Sequence, residues 1–112
     1  MVAAKVWCPG AGDIVWLEFD PQAGHEQAGH RPAVVLSPHP YNAKTGLMLC
    51  VPLTTRITGY PFEVAVAGAP KSVALADQVK CLDWRVRRAK DKGRVTEGEL
   101  GEIKARLRAL LD

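Results

Sequence analysis

The sequence has few aromatic residues, little cysteine and no long apolar run. Its longest apolar stretches, such as residues 32–36, fall far short of the roughly 20 residues a membrane helix needs. No membrane association is expected. The opening Met1-Val-Ala-Ala-Lys5 has no extended apolar segment of the kind a signal peptide carries, so a cytoplasmic location is expected. Cysteine occurs three times, at Cys8, Cys50 and Cys81, with wide spacing and no Cys-x-x-Cys. That odd, scattered set supports neither a disulfide framework nor a zinc ribbon, and it reads as free thiols in a reducing compartment. His25, His30 and His39 with Cys8 lack metal-ligand spacing, so no metal is expected. Neither Gly-x-x-x-x-Gly-Lys-Thr nor Gly-x-Gly-x-x-Gly is present, so no nucleotide cofactor is indicated. Repeats, linkers and low-complexity tracts are also missing.

What remains is an ordinary globular composition, 47% apolar and 24% charged over 112 residues. A single domain over residues 1–112 is expected, burying about two-thirds of its unfolded surface. The net charge of +3 is modest but unevenly spread. Residues 1–55 carry three Lys/Arg against four Asp/Glu, and residues 56–112 carry twelve against eight. Six of the ten residues from Arg85 to Arg94 are basic, a stripe that suggests a polyanionic partner.

Residues 13–20 alternate, with Val15, Leu17 and Phe19 on one face and Ile14, Trp16 and Glu18 on the other, which predicts a strand. Residues 22–30 are Gly-rich and polar and read as a long loop. Residues 33–37 and 47–53 read as buried strands, with Pro38, Pro40, Asn42 and Gly46 marking a broken connection between them. Phe62, Val64 and Val66 mark another strand. A further strand is expected over 72–82, interrupted by Asp77-Gln78, while 84–94 has no assignable pattern. Thr96-x-x-Glu99 is a capping box. It opens a helix whose apolar stripe is Leu100, Ile103, Leu107, Leu110 and Leu111, expected to dock on the outside of the sheet. Five or six strands with one closing helix predict a mainly β fold with helices (α+β), a small SH3-like barrel.

The polar loop and its exit place Glu26, Gln27, His30 and Arg31 within six residues. Cleavage of RNA by its own 2′-hydroxyl needs a base, an acid and positive charge at the phosphate, and this segment holds candidates for all three. The plainer reading is a solvated loop whose Arg31 pairs with a carboxylate. Thr54-Thr55 ends an apolar strand, where hydroxyls either bond a phosphate oxygen or simply cap a turn. The basic stripe either neutralises phosphates or forms a solvated face. Trp16, Phe19, Tyr60 and Trp84 can stack on unpaired bases, though Trp84, like Phe62, reads better as core. Cys50, inside an apolar strand, also reads as core.

Several segments together carry a resemblance. They are Gly12-Asp13-Ile14-Val15-Trp16, Glu26-Gln27-Ala28-Gly29-His30-Arg31-Pro32, Cys50-Val51-Pro52-x-Thr54-Thr55, Gly59-Tyr60-Pro61-Phe62-Glu63-Val64 and Ala74-Leu75-Ala76-Asp77-Gln78-Val79-Lys80. From about Gly12 to the last helix the chain resembles the MazF/PemK family of toxin ribonucleases. The resemblance implies a homodimer that cuts single-stranded mRNA at short sites, ACA-type as a first expectation. It implies catalysis without a metal or cofactor, and products with 2′,3′-cyclic phosphate and 5′-hydroxyl ends. Translation and growth would stop until a cognate MazE-like antitoxin blocked the RNA groove. The family's catalytic Arg, Thr and acidic loop residue fall on Arg31, Thr54 and Glu26. RNA contacts are expected from Phe19, Gln27, His30, Thr55, Arg56, Gln78, Lys80 and Arg87. The general base is left open among Glu26, His30 and Arg31. One departure is Thr58, where relatives carry a basic residue. The alternative function is a non-catalytic toxin on the same fold that grips DNA gyrase through the end of its last helix.

Overall fold

The computed structural model describes residues 7–19, 29–68 and 71–112. These form the strands β1 (Asp13–Phe19), β2 (Gly29–Val35), β3 (Leu47–Thr54), β4 (Glu63–Val66), β5 (Ser72–Leu75), β6 (Lys80–Asp83) and β7 (Lys90–Arg94). Two helices join them, α1 (His39–Thr45) between β2 and β3, and α2 (Glu97–Leu111) at the end. All the pairings are antiparallel, in the order β4-β5-β3-β2-β1-β7. On its side away from β2, β3 is shared between two partners. Leu47–Cys50 pair with β6, whereas Leu53 and Thr54 pair with β5. The sheet curls into an open half-barrel, mainly β with helices as the hydrophobic pattern implied.

Alternation along the strands builds two cores, one on each face. Val34, Val51, Leu53, Val64, Val66 and Ala74 gather on one face, closed by Ile103 of α2 with Leu100 and Leu107 against it. Val15, Leu17, Ala33, Val35, Met48 and Cys50 gather on the other, closed by Trp84. Trp84 is therefore core, and its indole N–H donates to the Asn42 carbonyl at 2.9 Å. Asn42 is fully buried and fully satisfied. Its amide donates to the carbonyls of Pro9 and Ser37 at 2.8 and 3.0 Å and its oxygen accepts from the Ser37 hydroxyl at 2.6 Å. A buried amide is tolerated on that condition.

Four sequence expectations are corrected. The segment with Pro38, Pro40 and Gly46 is not an irregular connection but α1. Pro40 sits in the first turn, where its missing N–H costs nothing, and Gly46 closes the helix in the left-handed conformation at φ 75°. β2 starts at Gly29 rather than residue 33, because β1 pairs with it down to Phe19 opposite Gly29, so His30 and Arg31 lie on a strand. The 72–82 segment is two strands, β5 and β6, separated by a turn in which the Gln78 N–H donates to the Leu75 carbonyl at 3.0 Å. The basic 84–94 segment is a turn followed by β7, an edge strand exposed at every position and hence without an apolar pattern.

The capping box forms as expected: the Thr96 hydroxyl accepts from the Glu99 N–H at 3.0 Å, and the Glu99 carboxylate from the Thr96 N–H at 2.8 Å. Of the helical stripe, Leu100, Ile103 and Leu107 dock, while Leu110 and Leu111 extend past the sheet and remain exposed. None of the helices among the described residues is long and apolar enough to cross a membrane.

Candidate active site

β2 and β3 pair through Ala33↔Pro52, Val34↔Val51 and Val35↔Cys50. Continued two residues further, the same register sets Arg31 opposite Thr54, with Leu17 of β1 opposite Arg31 on the other side. By strand alternation Arg31 shares a face with Ala33 and Val35, and Thr54 shares that face with Cys50. Two residues 23 positions apart in sequence thus come to the same end of the ladder. Both are half-buried.

Two hollows open here, and Arg31, Thr54 and Arg56 line both. The first, of about 350 Å³, is completed by Thr58, Tyr60, Glu63, Leu75 and Gln78. The second, of about 710 Å³, includes Trp16, His30, Thr55, Lys92 and Arg94. Among the described residues no carboxylate pairs with Arg31. A guanidinium in this position is of the kind that binds a phosphate through paired N–H donors. The Thr54 hydroxyl accepts from the Arg56 N–H at 3.1 Å, which orients it and leaves its own proton to donate. A fixed cation and an oriented hydroxyl at one lip are what a phosphorane needs for charge stabilisation.

His30 precedes Arg31 on the same strand and so projects to the other face. Its ring stacks on Trp16 with centroids 6.0 Å apart and planes 4° from parallel, and its Nε2 lies 3.9 Å from a Glu18 oxygen. The Lys92 ammonium stands 5.0 Å from the Trp16 ring centre. Arg94 is tied to Asp13 and to the Ala11 carbonyl. Of the basic stripe, then, Lys92 and Arg94 reach the second hollow, whereas Arg85 packs over Trp84 at 4.8 Å.

The first hollow has a wall that sequence reasoning missed. Glu63 accepts from the Thr58 N–H (3.1 Å), the Thr58 hydroxyl (2.9 Å) and the Gly59 N–H (3.0 Å). The Thr58 N–H above all, against an opposing effect of desolvation and with the Thr58 hydroxyl and Gly59 N–H adding to it, holds the Glu63 carboxyl below the usual carboxylate range. Gly59 adopts φ +82°, which the tight loop requires of a glycine. The Thr58 departure therefore has a structural partner in Glu63. The one sequence signal was the short Gly-Tyr-Pro-Phe-Glu turn.

Of the expected site residues, Arg31, Thr54, Arg56 and Gln78 meet at the first hollow, and His30 and Thr55 join the second. Lys80 and Arg87 line neither. Lys80 pairs with Cys50 in the middle of β3 and the Arg87 carbonyl accepts from the Glu18 N–H of β1, both near enough to Cys50 to act on its thiol electrostatically. Glu26, Gln27 and the Phe19 side chain lie outside the described residues. Among the described residues no group of three or more His, Cys, Asp or Glu is placed to hold a metal.

Residues 11–111 match the PemK-like, MazF-like toxins of type II toxin–antitoxin systems. The chain is 57% identical over 106 residues to the endoribonuclease toxin MazF of Escherichia coli K12, covering 94% of this chain and 96% of that one. The endoribonuclease toxin ChpB of the same organism is 36% identical over 108 residues, covering 90% of this chain and 92% of that one. A crystal structure of MazF from Deinococcus radiodurans superimposes with a TM-score of 0.86 at 49% identity, covering 95% of this chain and 98% of that one. A MazE–MazF crystal structure from that organism gives 0.87 at 49% identity, covering 95% and 97% of the two chains. These likenesses define the class, an endoribonuclease on a curled antiparallel sheet. The chain belongs to the PemK-like, MazF-like family of toxins of type II toxin–antitoxin systems.

Proposed function

We propose that this toxin cleaves single-stranded mRNA at short, ACA-type sites by attack of the ribose 2′-oxygen on the adjacent phosphorus, without a metal. The O2′–P bond forms and the P–O5′ bond breaks, leaving a 2′,3′-cyclic phosphate and a 5′-hydroxyl. Arg31 bears on the non-bridging oxygens and Thr54 donates to one of them as their charge grows. A guanidinium is too weak an acid, with pKa above about 12, to serve readily as the base. The His30 ring is engaged by Trp16 and lies beside Glu18. Both points favour Glu26 as the acceptor of the 2′-hydroxyl proton, with the 5′-oxygen protonated as it leaves. The observation that carries the reading is that Arg31 and Thr54, beside the end of the β2–β3 pairing, line the same two hollows.

Unpaired bases would lie along the two hollows, contacting Phe19, Gln27, His30, Thr55, Arg56 and Gln78, with Lys80 and Arg87 as more distant phosphate contacts. Lys92 and Arg94 would steer phosphate or meet an acidic antitoxin tail. The toxin acts as a homodimer in the cytoplasm, and a MazE-like antitoxin covers the RNA groove and restores translation and growth. Incubation with a long single-stranded RNA in EDTA, followed by mapping of the ends, tests the reading. Discrete 5′-hydroxyl ends are expected, and intact RNA would overturn it. An oligonucleotide with deoxyribose at the cut site should bind and remain whole.

A further inference from the structure

The two walls of the first hollow come from different loops. Arg56 and Thr58 lie on the connection between β3 and β4, and Gln78 on the turn between β5 and β6. At the base of the hollow these segments are held by the β4–β5 ladder, which continues one step beyond the strands as the Ala76 N–H donating to the Phe62 carbonyl at 3.0 Å. Past that bond the chains diverge. The Tyr60 hydroxyl then rejoins them by donating to Asp77 Oδ2 at 2.6 Å. The remaining anchors of the β3–β4 connection do not cross the hollow. Glu63 binds it from its own end, and Arg106 of α2 donates to the Pro61 carbonyl at 2.7 Å.

The chemistry of the Tyr60–Asp77 contact suits a clasp. A charged acceptor makes a stronger bond than a neutral one. The Tyr60 ring lies against Phe62, centroids 5.8 Å apart, which limits where the hydroxyl points. Among the described residues the Tyr60 hydroxyl is the hydrogen-bond partner that Asp77 has, through Oδ2.

We propose that Tyr60 is a positioning residue for RNA binding, its hydroxyl clasping the loop of Arg56 to the turn of Gln78 and so setting the width of the hollow beside Arg31 and Thr54. The proposal rests on the reading of that hollow as part of the RNA site. Tyr60 touches neither the scissile phosphate nor the reacting oxygens in this scheme. It acts through the spacing of the groups that hold RNA.

The full-length protein and its Tyr60→Phe and Asp77→Asn variants test this through two independent readouts. In the first, without RNA, hydrogen exchange is followed at the amides of Arg56, Thr58 and Gly59. Tyr60→Phe removes one hydroxyl and keeps the ring, and exchange there should quicken about three- to tenfold, the worth of one hydrogen bond. Asp77→Asn keeps an oxygen acceptor and should fall between that variant and the wild type. In the second, on a short single-stranded RNA, KM should rise in Tyr60→Phe by a similar factor while kcat stays within about twofold. Unchanged exchange would overturn the clasp. A fall in kcat at constant KM would overturn the positioning role in favour of a chemical one. Failure of the wild type to cleave RNA would instead remove the functional reading, with the exchange result still deciding whether the clasp exists.

Discussion

Thr54 stands opposite Arg31 in the register that β2 and β3 follow, two residues past their last bonded pair. Both side chains line the two hollows that open beside the end of that pairing. Thr54→Ala should therefore lower kcat by about 10²–10³, the usual worth of one donor to a developing oxyanion. Arg31→Ala should lower it at least as much. Circular dichroism and thermal melting should change little, since neither side chain belongs to a core cluster. Wild-type cleavage of a short RNA by either variant would reject the assignment.

Strand alternation separates His30 from Arg31 despite their adjacency. A general base contributes about 10²–10⁴ to the rate. His30→Gln should cost much less than that in kcat, with its main effect on KM through the lost stack on Trp16. Single-turnover and steady-state kinetics separate the two, and a loss of kcat as large as that of a missing base would place His30 in the chemistry.

The Glu63 carboxyl is held below the ordinary range chiefly by the Thr58 N–H. A depressed pKa in the folded state means that its contribution is complete above the unfolded value of about 4.3. That contribution is lost as pH falls through the lower folded value. Protection of the Thr58 and Gly59 amides, corrected for intrinsic exchange, should be level from neutral pH to about pH 5 and decline in more acidic solution. Glu63→Gln should remove that dependence while leaving α2 protected.

The cysteines should differ sharply in reactivity. Burial pushes the Cys50 thiol up to about 12, with Lys80 and Arg87 pulling weakly against it, whereas Cys81 is exposed. Alkylation of the folded protein at pH 8, followed by mass spectrometry, should label Cys81 and leave Cys50 untouched until denaturant is added. Early labelling of Cys50 would show that the sheet around it opens readily.

Some features were legible in the residues because they depend on local pattern. The alternation from Val15 to Leu17 fixed which side chains of β1 enter each core, and Thr96 with Glu99 fixed the start of α2. The motifs around Arg31 and Thr54 pointed to the family. Other features were illegible because they depend on pairing partners distant in sequence. Gly29-His30-Arg31-Pro32 has no strand pattern of its own and becomes a strand only because β1 offers it a register. β7 has no apolar face and exists as the edge partner of β1. Glu63 and Asp77 gain their partners only because the loops beside them fold back. The sequence by itself thus determined the elements with their own periodicity, since hydrophobic burial and local capping act within a few residues, and its motifs determined the family. Only the tertiary structure decided that Arg31 and Thr54 line the same hollows, that His30 stacks on Trp16, and that Tyr60 and Asp77 join across the rim. Those relations come from backbone hydrogen bonding between strands, which one chain segment cannot specify alone.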